Sequence, residues 1–169
     1  MKKILFLIVF IIGISFEGHS QIQRTFLGCT FGVTSKATTL QKIKNLGYEV
    51  EKFDNFFDPN GIMYRVKGGV AFGGYTWDDV RIRFINGKFA AFYLEGRFGD
   101  SIYNKLSTNL LNKYSKYKTS YSSPSTYFYD FNDGKTEVSI DGSYNRVVLM
   151  YDDVKLTSTK SNNSTTDDL

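Results

Sequence analysis

Residues 66–98, VKGGVAFGGYTWDDVRIRFINGKFAAFYLEGRF (Val66 to Phe98), hold two Gly-Gly steps, the single Trp of the chain and one turn whose type can be named. Asn86-Gly87 lies between two alternating runs, and both central residues of a type I′ turn need φ > 0, which Asn and Gly tolerate best. A two-residue turn there sets the pairing. Ile85 stands opposite Lys88, Phe84 opposite Phe89, Arg83 opposite Ala90, Ile82 opposite Ala91, Arg81 opposite Phe92 and Val80 opposite Tyr93. Residues opposite one another in an antiparallel pair share a face. One face then reads Val80, Ile82, Phe84, Phe89, Ala91 and Tyr93, a core surface. The other carries Arg81, Arg83, Lys88 and Phe92 with Ile85 and Ala90 between them. This basic, partly apolar face is the candidate binding surface, flanked by Tyr75 and Trp77 where the second Gly-Gly step meets the hairpin.

Outward from this hairpin the chain reads as strands and two helices. On the N-terminal side, Gln21 to Thr25 is a loose leader and Phe26 to Phe31 a short extended piece. Thr34-Ser35 can cap a helix from Lys36 to Leu46, with Ala37, Leu40, Ile43 and Leu46 as its apolar stripe and Gly47 as its stop. Tyr48 to Phe53 alternates as a strand, Asp54 to Gly61 is turn chemistry, and Ile62 to Val66 and Val70 to Phe72 continue an antiparallel meander. On the C-terminal side Asp100 can cap a second helix reaching about Tyr117, striped by Tyr103, Leu106, Leu110 and Tyr114. A polar loop, Thr119 to Ser125, leads to strands Tyr127 to Phe131, Thr136 to Ile140 and Arg146 to Tyr151. A two-residue turn at Asp133-Gly134 would oppose Asp130 and Glu137, a like-charge pair, so a longer bulged turn is favoured. The fold class is α+β, in which two helix-plus-antiparallel-meander units (26–98 and 99–153) form one domain with the helices on one face of the sheet. Beyond Asp153 the sequence has almost no apolar content, and 154–169 reads as a disordered tail.

The first 20 residues bound the compartment. Lys2-Lys3, the apolar run Ile4 to Ile14 and the small Ser20 have the pattern of a secretory signal peptide cleaved after Ser20, which makes the protein exported, either periplasmic or secreted. The run is short for a membrane span, so no transmembrane segment is expected in the mature chain. Cleavage would remove His19, the single histidine, and lower the formal net charge of +4 by one. So weak a positive charge gives no argument for nucleic acid as a partner. Cys29 is the sole cysteine, which precludes an internal disulfide. Leu27-Gly28-Cys29 has the look of a lipidation site, but polar residues from Glu17 to Arg24 separate it from the apolar run, so Cys29 is expected to be a small buried hydrophobe.

The segment FLGCTFGVTSKATTLQKIKNLGYEV resembles the opening of small envelope proteins with the beta-lactamase-inhibitor-protein-like fold, and also the SmpA/OmlA domain of outer-membrane assembly lipoproteins. The remainder, Val66 to Tyr151, is similar to exported bacterial proteins with a helix-plus-meander plan. The resemblance implies a sheet face that binds another protein through aromatic and charged side chains. Two features depart from it. The inhibitor proteins carry disulfides, and the assembly lipoproteins carry an acylated cysteine directly after the signal, so neither specific activity transfers.

Loss of His19 removes Ser-His-Asp and Cys-His nucleophiles, and histidine-based metal sites with them. Asp78-Asp79 and Asp152-Asp153 are adjacent acids, but strand neighbours point to opposite faces and do not converge. Gly68-Gly69 and Gly73-Gly74 lack the spacing and following Lys of a phosphate loop and read as turns or bulges. Asp130, Asn132 and Asp133 lack the distal bidentate Glu of an EF-hand. No catalytic residue, metal ligand or cofactor is assigned. The leading expectation is an exported, non-enzymatic binding protein of unknown ligand and oligomeric state. Its candidate contact residues are Tyr75, Trp77, Arg81, Arg83 and Phe92, and its partner a periplasmic or envelope protein. The alternatives are a glycan-binding or carboxylate-based glycan-processing protein, and an accessory subunit of an outer-membrane complex.

Overall fold

The computed structural model describes residues 21–53, 61–119, 127–143 and 145–158. The expected signal peptide, most of the Asp54 to Gly61 turn, most of the Thr119 to Ser125 loop and the tail beyond 158 lie outside the described residues. The elements run β1 (Thr25–Phe26), β2 (Cys29–Thr30), α1 (Lys36–Asn45), β3 (Val50–Phe53), β4 (Gly61–Val66), β5 (Val70–Phe72), β6 (Tyr75–Trp77), β7 (Asp79–Ile85), β8 (Lys88–Gly96), α2 (Asp100–Tyr114), β9 (Tyr127–Asn132), β10 (Thr136–Ser143), β11 (Arg146–Asp153) and α3 (Val154–Ser158). The α+β class holds. One seven-stranded antiparallel sheet, ordered β3-β4-β7-β8-β11-β10-β9, joins the two meanders edge to edge through β8 and β11.

The Asn86-Gly87 turn forms with φ of 51° and 70°, and Ile85 pairs with Lys88 and Phe84 with Phe89 as the two-residue turn requires. One residue further the register changes. Arg83 pairs with Ala91, Ile82 with Phe92, Arg81 with Tyr93 and Val80 with Leu94, leaving Ala90 as the extra residue of a β-bulge. A single inserted residue reverses which face each later side chain takes. Phe92 therefore turns into the core and is fully buried, and Tyr93 and Ala91 face outward, opposite to the expectation from a regular hairpin. The bulge sits where β8 exchanges neighbours. Before it, Gly32 N–H donates to the Phe89 carbonyl (2.8 Å), Phe89 N–H to that of Thr34 (3.0 Å) and Lys36 N–H to that of Gly87 (2.8 Å). From Ala91 onward the same edge pairs with β11.

The expected meander breaks at β5. Strand β4 pairs with β7, and β5 and β6 fold out as a separate two-stranded hairpin that lays Phe72 against Phe26, Phe92 and Tyr151. Gly73 and Gly74, with φ of 63° and 83°, make its two-residue turn, the role in which glycine carries no steric cost. Trp77 is fully buried, donates its indole N–H to the Phe72 carbonyl (3.0 Å) and meets the Phe98 ring edge-on at 5.1 Å.

Both long helices cover the same face of the sheet, contributing Ile43 of α1 and Tyr103, Leu106, Leu110 and Tyr114 of α2 to one core cluster. On α1 the buried residues are Thr39 and Ile43, and Leu46 of the expected stripe is exposed. Ser35 is its N-cap, accepting from Thr38 N–H. Gly99, with extended backbone, is the N-cap of α2, and Asp100 takes the first turn instead, where a carboxylate complements the helix dipole. Gly142 lies directly under α2, since a Cβ there would stand 2.3 Å from the Tyr103 ring.

Two further expectations are corrected at the ends of the domain. Gln21 to Thr25 is no loose leader. Ile22 is buried, and Arg24 donates to the Asp153 carboxylate (2.5 Å), to Thr136 Oγ1 (2.9 Å) and to the carbonyls of Lys135 and Phe31. The tail does not lose order at Val154, because Asp153 Oδ1 accepts Leu156 N–H (2.9 Å) and caps α3. Three residues, 133–135, separate β9 from β10, in keeping with the longer of the two turns. Asn132 pairs with Glu137, and Asp133 Oδ1 accepts the N–H groups of Lys135 and Thr136. Asp130 is thereby opposite Ser139, away from direct opposition to Glu137.

Gly142→Ala is expected to lower stability by about 1–3 kcal/mol, as overpacking of a filled core does. A urea midpoint equal to that of the native chain would show that Tyr103 does not press on this position.

Candidate functional site

Strand alternation and the observed register assign each side chain to a face. Residues opposite Arg83 across the sheet are Met63, Ala91, Asp152 and Glu137, and those opposite Arg81 are Arg65, Tyr93, Met150 and Ser139. None of these outward residues joins the core cluster. The outer face thus has its own chemistry, separate from the helix-covered side.

Arg81 is its centre. The guanidinium carbon lies 4.8 Å from the centroid of the Phe53 ring and 4.7 Å from that of Tyr93. Its Nε donates to Asp79 Oδ2 at 2.9 Å, and its Nη2 meets the same oxygen. Arg65 reaches the other oxygen of Asp79 through Nε at 3.1 Å and stands 4.9 Å from the Phe53 centroid. Glu95 completes the array, accepting the Tyr93 hydroxyl at 2.7 Å and pairing with Arg146 at 3.1 Å and Arg81 at 3.8 Å. Arg81, Asp79 and Glu95 are only 23%, 21% and 19% exposed, so water screens these pairs less than ordinary surface ion pairs. Burial opposes the Arg81 charge, but Asp79 outweighs it and holds the guanidinium above its ordinary pKa. Burial, helped by the bond to Glu95, pushes the Tyr93 phenol well up and keeps it a donor.

A second group lies one row away. Asp152 and Glu137 are direct cross-strand partners, and Ala91, the residue between Asp152 and Arg83, is small. Burial raises the Asp152 carboxyl to about 6 against the opposing pull of Arg83, with Glu137 and Asp153 raising it further. Glu137 is also raised, by burial first and then by Asp130. The outer face is therefore divided in sign. Strands β4 and β7 carry Arg65, Arg81 and Arg83 against Asp79 alone, and strands β9 to β11 carry Asp130, Glu137, Asp141 and Asp152 against Arg146 alone, so the division is one of net charge.

Of the five candidate contact residues only Arg81 and Arg83 share this face. Phe92 is turned to the core by the bulge, Trp77 is fully buried within the β5–β6 hairpin with its indole N–H on the Phe72 carbonyl, and Tyr75 packs half-buried against Phe98 at 5.7 Å on the opposite side of the sheet. The partner of Arg81 is the neighbouring ring, Tyr93, in place of Phe92. Sequence reading missed Phe53, Arg65, Asp79, Glu95 and the Glu137–Asp152 pair. The alternation of β10 and β11 carries a signal for that last pair, but only the partnering of β8 with β11 brings Arg83 to the same row. The adjacent acids diverge as strand geometry requires: Asp153 turns to Arg24 and Asp152 to the outer face, while Asp78 accepts Arg97 N–H at 3.2 Å. Cys29 is fully buried, with burial raising its thiol pKa. Among the described residues no group of three or more His, Cys, Asp or Glu could hold a metal ion, and no helix is long and apolar enough to cross a membrane.

The raised Asp152 pKa has a pH signature. The folded state holds this proton up to about pH 6 and the unfolded chain only to the ordinary aspartate value of 3.8, so between these values the folded state binds more protons and Asp152 adds stability as pH falls. Asp152→Asn is expected to be more stable than the native chain at pH 7.5, by on the order of 1 kcal/mol. The gain should shrink as pH falls through 6 and vanish near 4, a difference read from urea melts across pH. No protein-family model, curated protein or solved structure matches the chain.

Proposed function

We propose that this chain is an exported, non-enzymatic binding protein that recognises a periplasmic or envelope protein through the outer face of its sheet. The observation that carries this reading is the Arg81 array. An arginine held between two rings, with two of its nitrogens on one carboxylate oxygen of Asp79, is already ordered before binding, so little side-chain entropy remains to be lost. Arg, Tyr, Met and Phe are the residue types enriched at protein interfaces, and Met150 beside this array is 36% exposed. The sign division across the face favours a partner of complementary, oppositely divided charge, which steers association and fixes register. The N-terminal charged, apolar and small-residue pattern supports export, and the resemblance to inhibitor-like and SmpA/OmlA-type envelope domains is in keeping with a role in protein binding, by analogy of fold only.

A second reading is favoured by one observation. Glu137 and Asp152 are neighbours on a sheet, where opposite Cβ atoms stand about 4.5–5.5 Å apart, and a carboxyl whose pKa is pushed up to about 6 beside another acid is the pattern of acid–base glycan chemistry. Hydrolysis of cell-wall glycan by the native chain, abolished by Glu137→Gln, would establish this alternative.

The binding reading is tested by affinity capture from the native envelope. Arg65→Gln with Arg81→Gln should reduce recovery of the captured partner at least tenfold, while circular dichroism remains native. Raising salt to 0.5 M should weaken capture by the native chain. Equal recovery by a folded double variant would exclude this face as the contact surface.

A further inference from the structure

On the other side of the sheet a slot of about 190 Å³ lies between α2 and the turn of the β5–β6 hairpin. Leu106, Leu110, Phe72 and Leu149 are its apolar lining, and Gln23, Asn109 and Lys113 supply polar groups beside Tyr114 and Tyr151. These two tyrosines are 1% and 4% exposed, and a buried polar side-chain atom ordinarily has at least one hydrogen-bond partner. The Tyr114 oxygen accepts the Gln23 N–H at 3.2 Å, and among the described residues nothing accepts its proton. The Tyr151 hydroxyl makes no hydrogen bond with any described residue. Both tyrosines line the same small, mostly apolar slot, which brings two phenol donors to its wall.

We propose that this slot binds a small aromatic carboxylate, with the ring held against Leu106, Leu110 and Phe72 and the carboxylate accepting from the hydroxyls of Tyr114 and Tyr151. The size fits: a cavity of about 150 Å³ accommodates benzene, and the slot adds room for one polar head group. The charge fits as well. Lys113, whose ammonium lies 5.0 Å from the Tyr114 ring centroid, places a cation at the slot, and none of the described lining residues is acidic. Burial pushes the Tyr151 phenol well up, so it remains a proton donor at any physiological pH. This site is independent of the outer-face reading, since the two share no residue and lie on opposite faces of the sheet.

The test is calorimetric titration of the full chain with benzoate and, separately, with toluene. Benzoate should bind saturably. Tyr151→Phe preserves the ring and removes one donor, so it should weaken benzoate tenfold or more and leave toluene within twofold. Its melting temperature should match or exceed that of the native chain, because the lost hydroxyl has no partner in the unliganded fold. Lys113→Gln should weaken benzoate alone. Absence of saturable benzoate binding, as for a slot filled only by water, would overturn the proposal, as would benzoate binding unchanged by Tyr151→Phe.

Discussion

The structure depends on one extra residue in β8. This strand is the join between the two meanders, and its free edge changes partner at Ala90, from the Gly32–Lys36 backbone to β11. A regular strand could not serve both neighbours with the same alternation, and the bulge resolves this by re-aiming everything that follows it. Phe92 then joins Phe26 at 4.8 Å and Phe72 at 5.7 Å in the core, and Tyr93 emerges beside Arg81 on the outer face. The aromatic core and the outer array are two results of the same displacement.

The N-terminal segment closes the domain from the core side. Phe26 touches four other rings, Phe31, Phe72, Phe92 and Tyr151, with centroids 4.7–5.7 Å apart. Offset and tilted packing of this kind adds to simple burial. Arg24 ties the same segment to the end of β11, and its Asp153 partner, almost fully buried, is satisfied on its other oxygen by the first turn of α3. A buried ion pair contributes little by itself, because desolvation offsets attraction. Here its remaining hydrogen bonds to Thr136 and two carbonyls make it a specific link between residues more than 100 apart in sequence.

The two faces of the sheet consequently perform different chemistry. On the outer face the Arg81 array pairs its charges within itself, arginine to carboxylate and guanidinium to ring, which leaves those side chains ordered. The covered face is apolar, and among the described residues nothing accepts the protons of the two phenols, Tyr114 and Tyr151, beside a gap between α2 and the hairpin. The gap exists because β5 and β6 leave the sheet at the glycine steps and roof part of the core that helices do not reach.

Local chemistry determined much of this protein from the sequence alone: the Asn86-Gly87 turn, the Ser35 cap, the stripe of Tyr103, Leu106, Leu110 and Tyr114, and the alternation that gives each strand two faces. These are legible because each depends on neighbours within a few residues. The bulge at Ala90, the release of β5–β6 from the meander, the capture of Arg24 by Asp153 and the alignment of Arg83 with Asp152 and Glu137 were decided only by tertiary structure. Each depends on which distant strand occupies an edge, and no local pattern encodes that choice. The candidate arginines could therefore be found by residue type and spacing, whereas their ring and carboxylate partners had to wait for the register that β8 adopts between β7 and β11.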